Sequence, residues 1–251
     1  MAAREELACF VGALRYFTRL PVPGAFGHDS SGLERAIRYF PAVGLIVGAI
    51  GALVFALATF CLPKTVAVLL SMAATLYATG AFHEDGWTDM VDGFGGGWTP
   101  ERILEIMKDS RIGSFGAVAL IMMILTKFIA LVETDAQLVA MTLIAGHAFS
   151  RFCSTCVLGT LPYVRAEGKS KPFATQLAPA TWIVAGVTAL LPVLFLSPWR
   201  SVPACVLALL ATLWLASKFK RQIGGYTGDC LGATQQFAEI AFYLGTLCKF
   251  S

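Results

Sequence analysis

Seven stretches of this chain are apolar over about the length that a helix needs to cross a lipid bilayer. Crossing about 30 Å of hydrocarbon takes roughly 20 mainly apolar residues. Helices are the expected form, because an open sheet edge in lipid leaves backbone hydrogen-bonding groups unpaired. Six stretches are strong, and the seventh is weakened by Glu239. They span residues 39–62, 65–82, 114–132, 136–161, 181–196, 202–217 and 235–250.

The composition supports a membrane protein. Hydrophobic residues make up 57% of the chain and charged residues 14%, with a mean hydropathy of +0.70, whereas soluble domains carry about 25% charged residues. This composition excludes a disordered chain, a secreted scaffold and a nucleic-acid-binding module, and the net charge of +3 is too small to indicate a polyanionic partner. The seven cysteines form no disulfide framework and are expected to be reduced packing residues, including Cys153 and Cys156, whose C-x-x-C spacing has no second pair to match it. We predict an all-α, polytopic integral membrane bundle of about six to seven transmembrane helices, forming a single domain over residues 1–251.

The basic residues predict the orientation of this bundle. When the loops are assigned alternately to two sides, fourteen Lys and Arg residues fall on one side and three on the other, namely Lys64, Arg200 and Lys249. The positive-inside rule makes the first side cytoplasmic. The N-terminus is therefore expected on the cytoplasmic side of the membrane, and with seven spans the C-terminus is expected on the other side.

The N-terminal segment 1–36 is expected to lie at the membrane interface. Five apolar residues recur at helical spacing and predict a short amphipathic helix that ends before Pro21 and Pro23. They are Leu7, Phe10, Val11, Leu14 and Phe17. The alternative is that this helix packs on the bundle.

The cytoplasmic segment 83–113 carries the residues expected to form an active site. Four of the 16 acidic residues fall within nine positions, and Asp85, Asp89 and Asp92 share one helical face with Glu84 beside them. Carboxylates this close repel one another unless a cation lies between them, and oxygen ligands favour Mg²⁺ over zinc. Gly95 and Gly96 follow and allow close approach of a ligand. The alternative is a solvated acidic helix end.

A second polar motif follows a short helix that Thr99 and Pro100 are expected to begin. Lys108 and Arg111 are suited to bind phosphate, and Ser110 adds a hydroxyl. Asp109, placed between the two cations, is suited to bind metal or to accept a proton. The alternative for both cations is the flanking charge of a cytoplasmic loop.

Four more candidates lie outside this segment. His147 and Arg151 stand one turn apart within the fourth apolar stretch, and an intramembrane Arg marks a functional site by default. Their alternative is a structural pair with a buried acid. Arg165 lies in a later cytoplasmic loop, and Asp229 follows a glycine-rich one. Asp229 is expected to complete the metal site or bind a nucleotide, with capping of the last helix as the alternative.

Taken together, these motifs resemble the cobalamin synthase family, the adenosylcobinamide-GDP ribazoletransferases. The resemblance spans nearly the whole chain, and its most specific parts are the acidic block and the KDSR motif. The matching segments are FTRLPVP (17–23), YFPAVG (39–44), HEDGWTDMVDGFGGG (83–97), MKDSRIG (107–113) and GGYTGD (224–229).

The resemblance implies a Mg²⁺-dependent enzyme of the inner membrane that completes coenzyme B12. It would join adenosylcobinamide-GDP to α-ribazole, or to its 5′-phosphate, and release GMP. The ribazole 3′-hydroxyl is expected to be the nucleophile, with Asp109 as its base and Arg151 or Arg165 holding the 5′-phosphate. The sequence leaves the number of subunits open, a homo-oligomer included.

Two other functions fit part of the pattern. A CDP-alcohol phosphotransferase shares the DMVDG fragment at 89–93, but Gly96 and Gly97 stand where that family has Ala and Arg, and Ser110 falls near its third acidic position. A divalent cation transporter is the alternative from another class, but its acids are expected at the membrane midplane.

Overall fold

The computed structural model describes residues 2–22, 35–165 and 177–249. Within them lie ten α-helices and no β-strand, as predicted. Residues 23–34 of the N-terminal segment lie outside the described residues, as do Lys169 and Lys171, two of the fourteen basic residues expected on the cytoplasmic side. The helices are α1 (Ala2–Phe17), α2 (Phe40–Ala58), α3 (Lys64–Thr79), α4 (Phe82–Gly96), α5 (Pro100–Ile106), α6 (Ser114–Glu133), α7 (Ala136–Thr160), α8 (Pro179–Val193), α9 (Pro198–Ile223) and α10 (Gly228–Thr246).

Each predicted apolar stretch forms a helix, but not every one is a membrane span by length and composition. Three segments of the described chain qualify, Ile37–Ala58, Ser114–Glu133 and Pro198–Ile223, and α3 with α4 would be a fourth as a pair bent by 86°. The 15 residues of α8 extend only about 22 Å. Helices α7 and α10 are long enough, but they lie largely buried in the bundle, where polar side chains face other helices rather than lipid.

The surface of the bundle is apolar where these helices face outward. Large side chains of α2, α6 and α9, such as Leu53, Ile121 and Leu213, are more than half exposed. In water such an apolar surface would promote aggregation, whereas in a membrane it is the surface expected to contact lipid. The described chain is therefore a membrane protein with its polar residues inside.

Glycines allow a close contact between helices α2 and α7. A Cβ atom at Gly44 would lie 2.3 Å from the carbonyl oxygen of His147, and one at Gly48 would lie 2.7 Å from Cα of Ile144. The two glycines are four residues apart, the spacing that lets helix backbones meet in membranes. This contact fixes the inner face of α7, which carries His147 and Arg151.

Helix α1 packs on the bundle, which was the alternative to a helix lying only at the membrane interface. Its buried face consists of Cys9, Ala13 and Phe17, while Leu7 is 53% exposed. Phe17 stacks on Phe40 of α2, with 4.1 Å between the ring centroids. The helix ends ahead of Pro21, as predicted.

Ion pairs and hydrogen bonds group the helix termini into two ends of the bundle. At the end we call the opposite end, Lys64 donates to the carbonyl oxygens of Val132 (2.5 Å) and Thr134. There Arg200 also pairs with Asp135 at 2.6 Å. The loop assignment placed these helix termini on the side that has only three Lys and Arg residues. In the structure they lie together at one end of the bundle, in agreement with that assignment.

Candidate active site

Three carboxylates of the predicted metal site come together at the other end of the bundle, which we call the acidic end. Asp85 and Asp89 lie on α4 and Asp229 lies in the first turn of α10. The two helices pack closely, since a Cβ atom at Gly86 would lie 3.0 Å from the backbone of Asp229. Arg165 joins them with a salt bridge of 2.8 Å to Asp229. The acidic end is defined here by Asp85, Asp89, Asp229 and Arg165.

Burial and nearby like charges together shape the electrostatics of the acidic end. Burial, together with the nearby Asp85 and Asp229, raises the pKa of Asp89 to about 7. Burial also raises the pKa of Asp229, and Arg165 opposes this shift. A group of carboxylates with raised pKa values favours a bound cation, which would compensate their mutual repulsion.

The donor set suits Mg²⁺, although it is not a complete cage. In the described parts of the chain, no three His, Cys, Asp or Glu side chains converge into a ready-made metal site. Mg²⁺ in proteins uses one or two carboxylates together with substrate phosphates and water. The acidic end therefore fits an ion whose coordination is completed by a phosphorylated substrate.

Asp92, also predicted as a metal ligand, holds the start of α6. Its two oxygens accept hydrogen bonds from the backbone N–H groups of Gly113 (2.7 Å) and Gly116 (2.8 Å). A Cβ atom at either glycine would lie within 2.4 Å of this carboxylate. Both glycines of the second motif thus serve the contact with Asp92, and a carboxylate at a helix N-terminus is electrostatically favourable.

The predicted catalytic residue, Asp109, is paired with its neighbour Arg111. The backbone and the guanidinium of Arg111 donate to its carboxylate, with 2.6 Å as the shortest distance. These hydrogen bonds lower the pKa of Asp109 to about 2. A carboxylate held in this way is a weak proton acceptor at neutral pH. Lys108 and Ser110 are exposed beside it.

The glycine run contributes mainly to packing. A Cβ atom at Gly97 would lie 2.7 Å from the backbone nitrogen of Ile103, so this glycine lets α5 fold back on the end of α4. Gly95 and Gly96, the predicted ligand contacts, are exposed. The start of α5 is as predicted, because the Thr99 hydroxyl accepts a hydrogen bond from the N–H of Arg102 at 3.3 Å.

A charged network that the sequence analysis did not anticipate lies inside the bundle. Nζ of Lys127, on α6, donates to a carboxylate oxygen of Glu239 (2.7 Å) and to Oε1 of Gln236 (2.5 Å), both on α10. Nε2 of Gln236 in turn donates to Glu84 at 2.9 Å. Glu84, predicted as a metal ligand, is thus joined to this interior network, which we call the buried network.

His147 and Arg151 belong to the same network. Nδ1 of His147 lies 3.1 Å from Glu239, and a carboxylate acceptor requires the proton on this nitrogen. Nη1 of Arg151 donates to the carbonyl oxygen of His147 at 2.9 Å, and its guanidinium lies over the Phe40 ring. Arg151 is only 1% exposed and interacts electrostatically with Glu239 and Glu84. This matches the alternative of a structural pair with a buried acid, while a substrate contact stays a prediction.

The buried network contains as many acidic as basic side chains. Glu84 and Glu239 are the acids, and Lys127 and Arg151 are the bases, with His147 beside them. The network borders a cavity of about 30 Å³, room for roughly two water molecules. The signal for it was present in the sequence, since Lys127 and Glu239 are ionisable residues within apolar stretches.

Comparison with known proteins agrees with these observations. A sequence model of the cobalamin-5-phosphate synthase family matches residues 9–247. The chain belongs to this family. It is 45% identical to an adenosylcobinamide-GDP ribazoletransferase of Ralstonia pickettii over 253 aligned positions, covering 100% of this chain and 99% of the relative.

Other bacteria have similar proteins with the same name. The relative in Vibrio cholerae is 44% identical and the one in Shewanella frigidimarina 43%, each covering 96% of this chain and 94% of the relative. No solved structure matches the chain. As a cobalamin synthase family member, the chain is a transferase of cobalamin biosynthesis with membrane helices. Its family membership favours this function over the CDP-alcohol phosphotransferase and the cation transporter.

Proposed function

We propose that this enzyme joins adenosylcobinamide-GDP to α-ribazole, or to its 5′-phosphate, and releases GMP in a Mg²⁺-dependent reaction at the acidic end. The observation that carries the proposal is the electrostatic interaction of Asp85, Asp89 and Asp229 at one end of the bundle, with Arg165 paired to Asp229, in a chain of this family. Relatives at 43–46% identity are named for this transfer.

The reaction exchanges a phosphoanhydride bond for a phosphate ester bond. The ribazole 3′-hydroxyl oxygen forms a bond to the cobinamide-linked phosphorus, and its proton passes to solvent water. The pyrophosphate bond of that phosphorus to GMP breaks, and GMP leaves with the bonding electrons. Phosphoryl transfer of this kind depends mainly on positioning and on neutralisation of charge.

The chain offers groups for both requirements. Asp85, Asp89 and Asp229 would hold Mg²⁺, which when bound supplies charge neutralisation on the phosphate oxygens. Arg165 is held by Asp229 beside these carboxylates and is placed to bind phosphate. The remaining predicted substrate ligands are Gly95, Gly96, Lys108, Ser110, Arg111, His147 and Arg151.

A direct assay tests the proposal. The purified protein in lipid nanodiscs is supplied with Mg²⁺, adenosylcobinamide-GDP and α-ribazole 5′-phosphate, and GMP and corrinoids are followed by chromatography. We expect one GMP for each corrinoid product and loss of turnover when EDTA removes the metal. Absence of GMP release, or full activity in EDTA, would contradict the substrates or the metal respectively.

We further propose that the protein lies in the bacterial inner membrane with its acidic end in the cytoplasm, where phosphorylated substrates are found. In a background without other cysteines, Trp98→Cys places a thiol beside the glycine run, where the native side chain is 96% exposed. A second variant keeps only Cys61, which is exposed near the opposite end.

A membrane-impermeant maleimide added to intact spheroplasts should label the Cys61 protein and spare the Trp98→Cys protein. After lysis, both proteins should be labelled. The reverse pattern in spheroplasts would place the acidic end outside the cell and separate it from its proposed substrates.

A further inference from the structure

An open pocket of about 400 Å³ lies where the segment after α1 crosses the bend between α3 and α4. Its lining includes Thr18, Arg19, Gly80, Phe82 and Asp85. Asp85 is shared with the acidic end, where it interacts electrostatically with Asp89 and Asp229. The pocket therefore opens directly beside the proposed metal site.

The bend is shaped to hold the Arg19 side chain. The backbone N–H of Arg19 donates to the carbonyl oxygen of Ala78 at 2.8 Å. Its side chain lies so close to Gly80 that a Cβ atom there would be 2.1 Å from Nε of Arg19. Gly80 has φ +65°, a conformation that favours glycine, so the same residue makes the turn and leaves room for the guanidinium.

Backbone strain accompanies this arrangement. Ala81 has φ 56° and is the one residue other than glycine with positive φ in the described ranges. A left-handed conformation is sterically unfavourable for a residue with a side chain. The bend that sets Arg19 beside the start of α4 therefore contains a strained residue, Ala81.

The guanidinium of Arg19 is exposed, and within 2–22, 35–165 and 177–249 it forms no ion pair. Arg15 is likewise exposed and without an ion pair in these ranges, but only Arg19 lines the pocket. The arginines near this end that do pair with a carboxylate are Arg165 with Asp229, Arg111 with Asp109, Arg102 with Glu105, Arg38 with Glu6, and Arg35 with Glu5. The charge of Arg19 is therefore available to an anionic ligand.

We propose that this pocket binds the pyrophosphate of the nucleotide-linked substrate, with Arg19 as its phosphate-binding residue. The inference rests on the proposed function and names a binding residue for that same reaction. An arginine fork matches phosphate oxygens in a bidentate manner. A pyrophosphate held there would also lie next to Asp85, so that metal and guanidinium act on the same group.

The test compares Arg19→Gln and Arg19→Lys with the control Arg15→Gln, which removes an exposed charge one turn earlier on α1. For Arg19→Gln we expect the KM for adenosylcobinamide-GDP to rise about tenfold or more, with a smaller rise for Arg19→Lys because charge is kept and the fork is lost. The KM for unphosphorylated α-ribazole and for its 5′-phosphate should stay within about twofold. Arg15→Gln should resemble the wild type.

Binding of GDP to the nanodisc-embedded protein with Mg²⁺, measured by equilibrium dialysis, gives a readout independent of turnover. It should weaken in Arg19→Gln and stay unchanged in Arg15→Gln. A normal KM for adenosylcobinamide-GDP, or a rise confined to α-ribazole 5′-phosphate, would overturn the assignment. Failure of the wild type to release GMP would instead overturn the proposed function. The GDP-binding measurement would still test whether Arg19 binds the pyrophosphate.

Discussion

Asp89→Asn is expected to lower turnover at least about a hundredfold without unfolding the protein. A metal ion contributes several kcal/mol to neutralising charge in the transition state, and the amide keeps the volume of the side chain but loses its charge. Because burial and the neighbouring carboxylates raise the pKa of Asp89 to about 7, its ionised form opposes folding as pH rises from about 4 to about 7. The variant should therefore melt no lower than the wild type at pH 8. Initial rates of GMP release and thermal melting in detergent measure the two quantities.

The matched control is Glu101→Gln. Glu101 is an exposed carboxylate in the first turn of α5, away from the acidic end. It should keep near-normal activity. If Asp89→Asn also turned over normally when Mg²⁺ is limiting, Asp89 would have to be removed from the proposed metal site.

Lys127→Met is expected to cause the largest loss of stability among single changes to the buried network. It leaves Glu239 without its ammonium partner at 2.7 Å, at a site where both side chains are less than a tenth exposed. Removing one member of a buried ion pair costs about 3–5 kcal/mol, mostly because a charge remains buried and uncompensated. Thermal or denaturant unfolding in detergent should show this loss. The double variant Lys127→Met with Glu239→Gln should recover part of it.

Arg200→Gln provides the comparison at the protein surface. It breaks a pair of similar length, 2.6 Å to Asp135, whose side chains are 25% and 65% exposed. Pairs of this kind contribute about 0–1 kcal/mol. If Lys127→Met were no less stable than Arg200→Gln, the buried network would not stabilise the bundle in the way its geometry indicates.

Local sequence signals predicted the helices well, because they depend on neighbouring residues. Each apolar stretch forms a helix, and α5 begins at Thr99 and Pro100 as expected. The last helix is also capped by a local residue, but the cap is Thr227, whose hydroxyl accepts from the N–H of Cys230 at 3.3 Å. Asp229, two residues on, is thereby left to meet Arg165.

Helical spacing was less informative about the acidic block. It placed Asp85, Asp89 and Asp92 on one face. In the structure, however, Asp92 accepts hydrogen bonds from the backbone at the N-terminus of α6. Glu84, one position from Asp85, points instead to Gln236 in the interior. Spacing shows which residues share a helix face, but it does not show which other helix that face will meet.

The sequence by itself determined that this chain is a helical membrane protein with a polar segment rich in carboxylates and glycines, since apolar length, glycine content and carboxylate density are local properties. Only the tertiary structure decided the partners. Lys127 and Glu239 are 112 residues apart, and Asp85 and Asp229 meet because α4 bends by 86° from α3 and packs against α10. Such pairings depend on how helices pack across the bundle. A buried charge without a counter-charge is unfavourable, so the packed helices bring opposite charges together, and no local pattern contains that information.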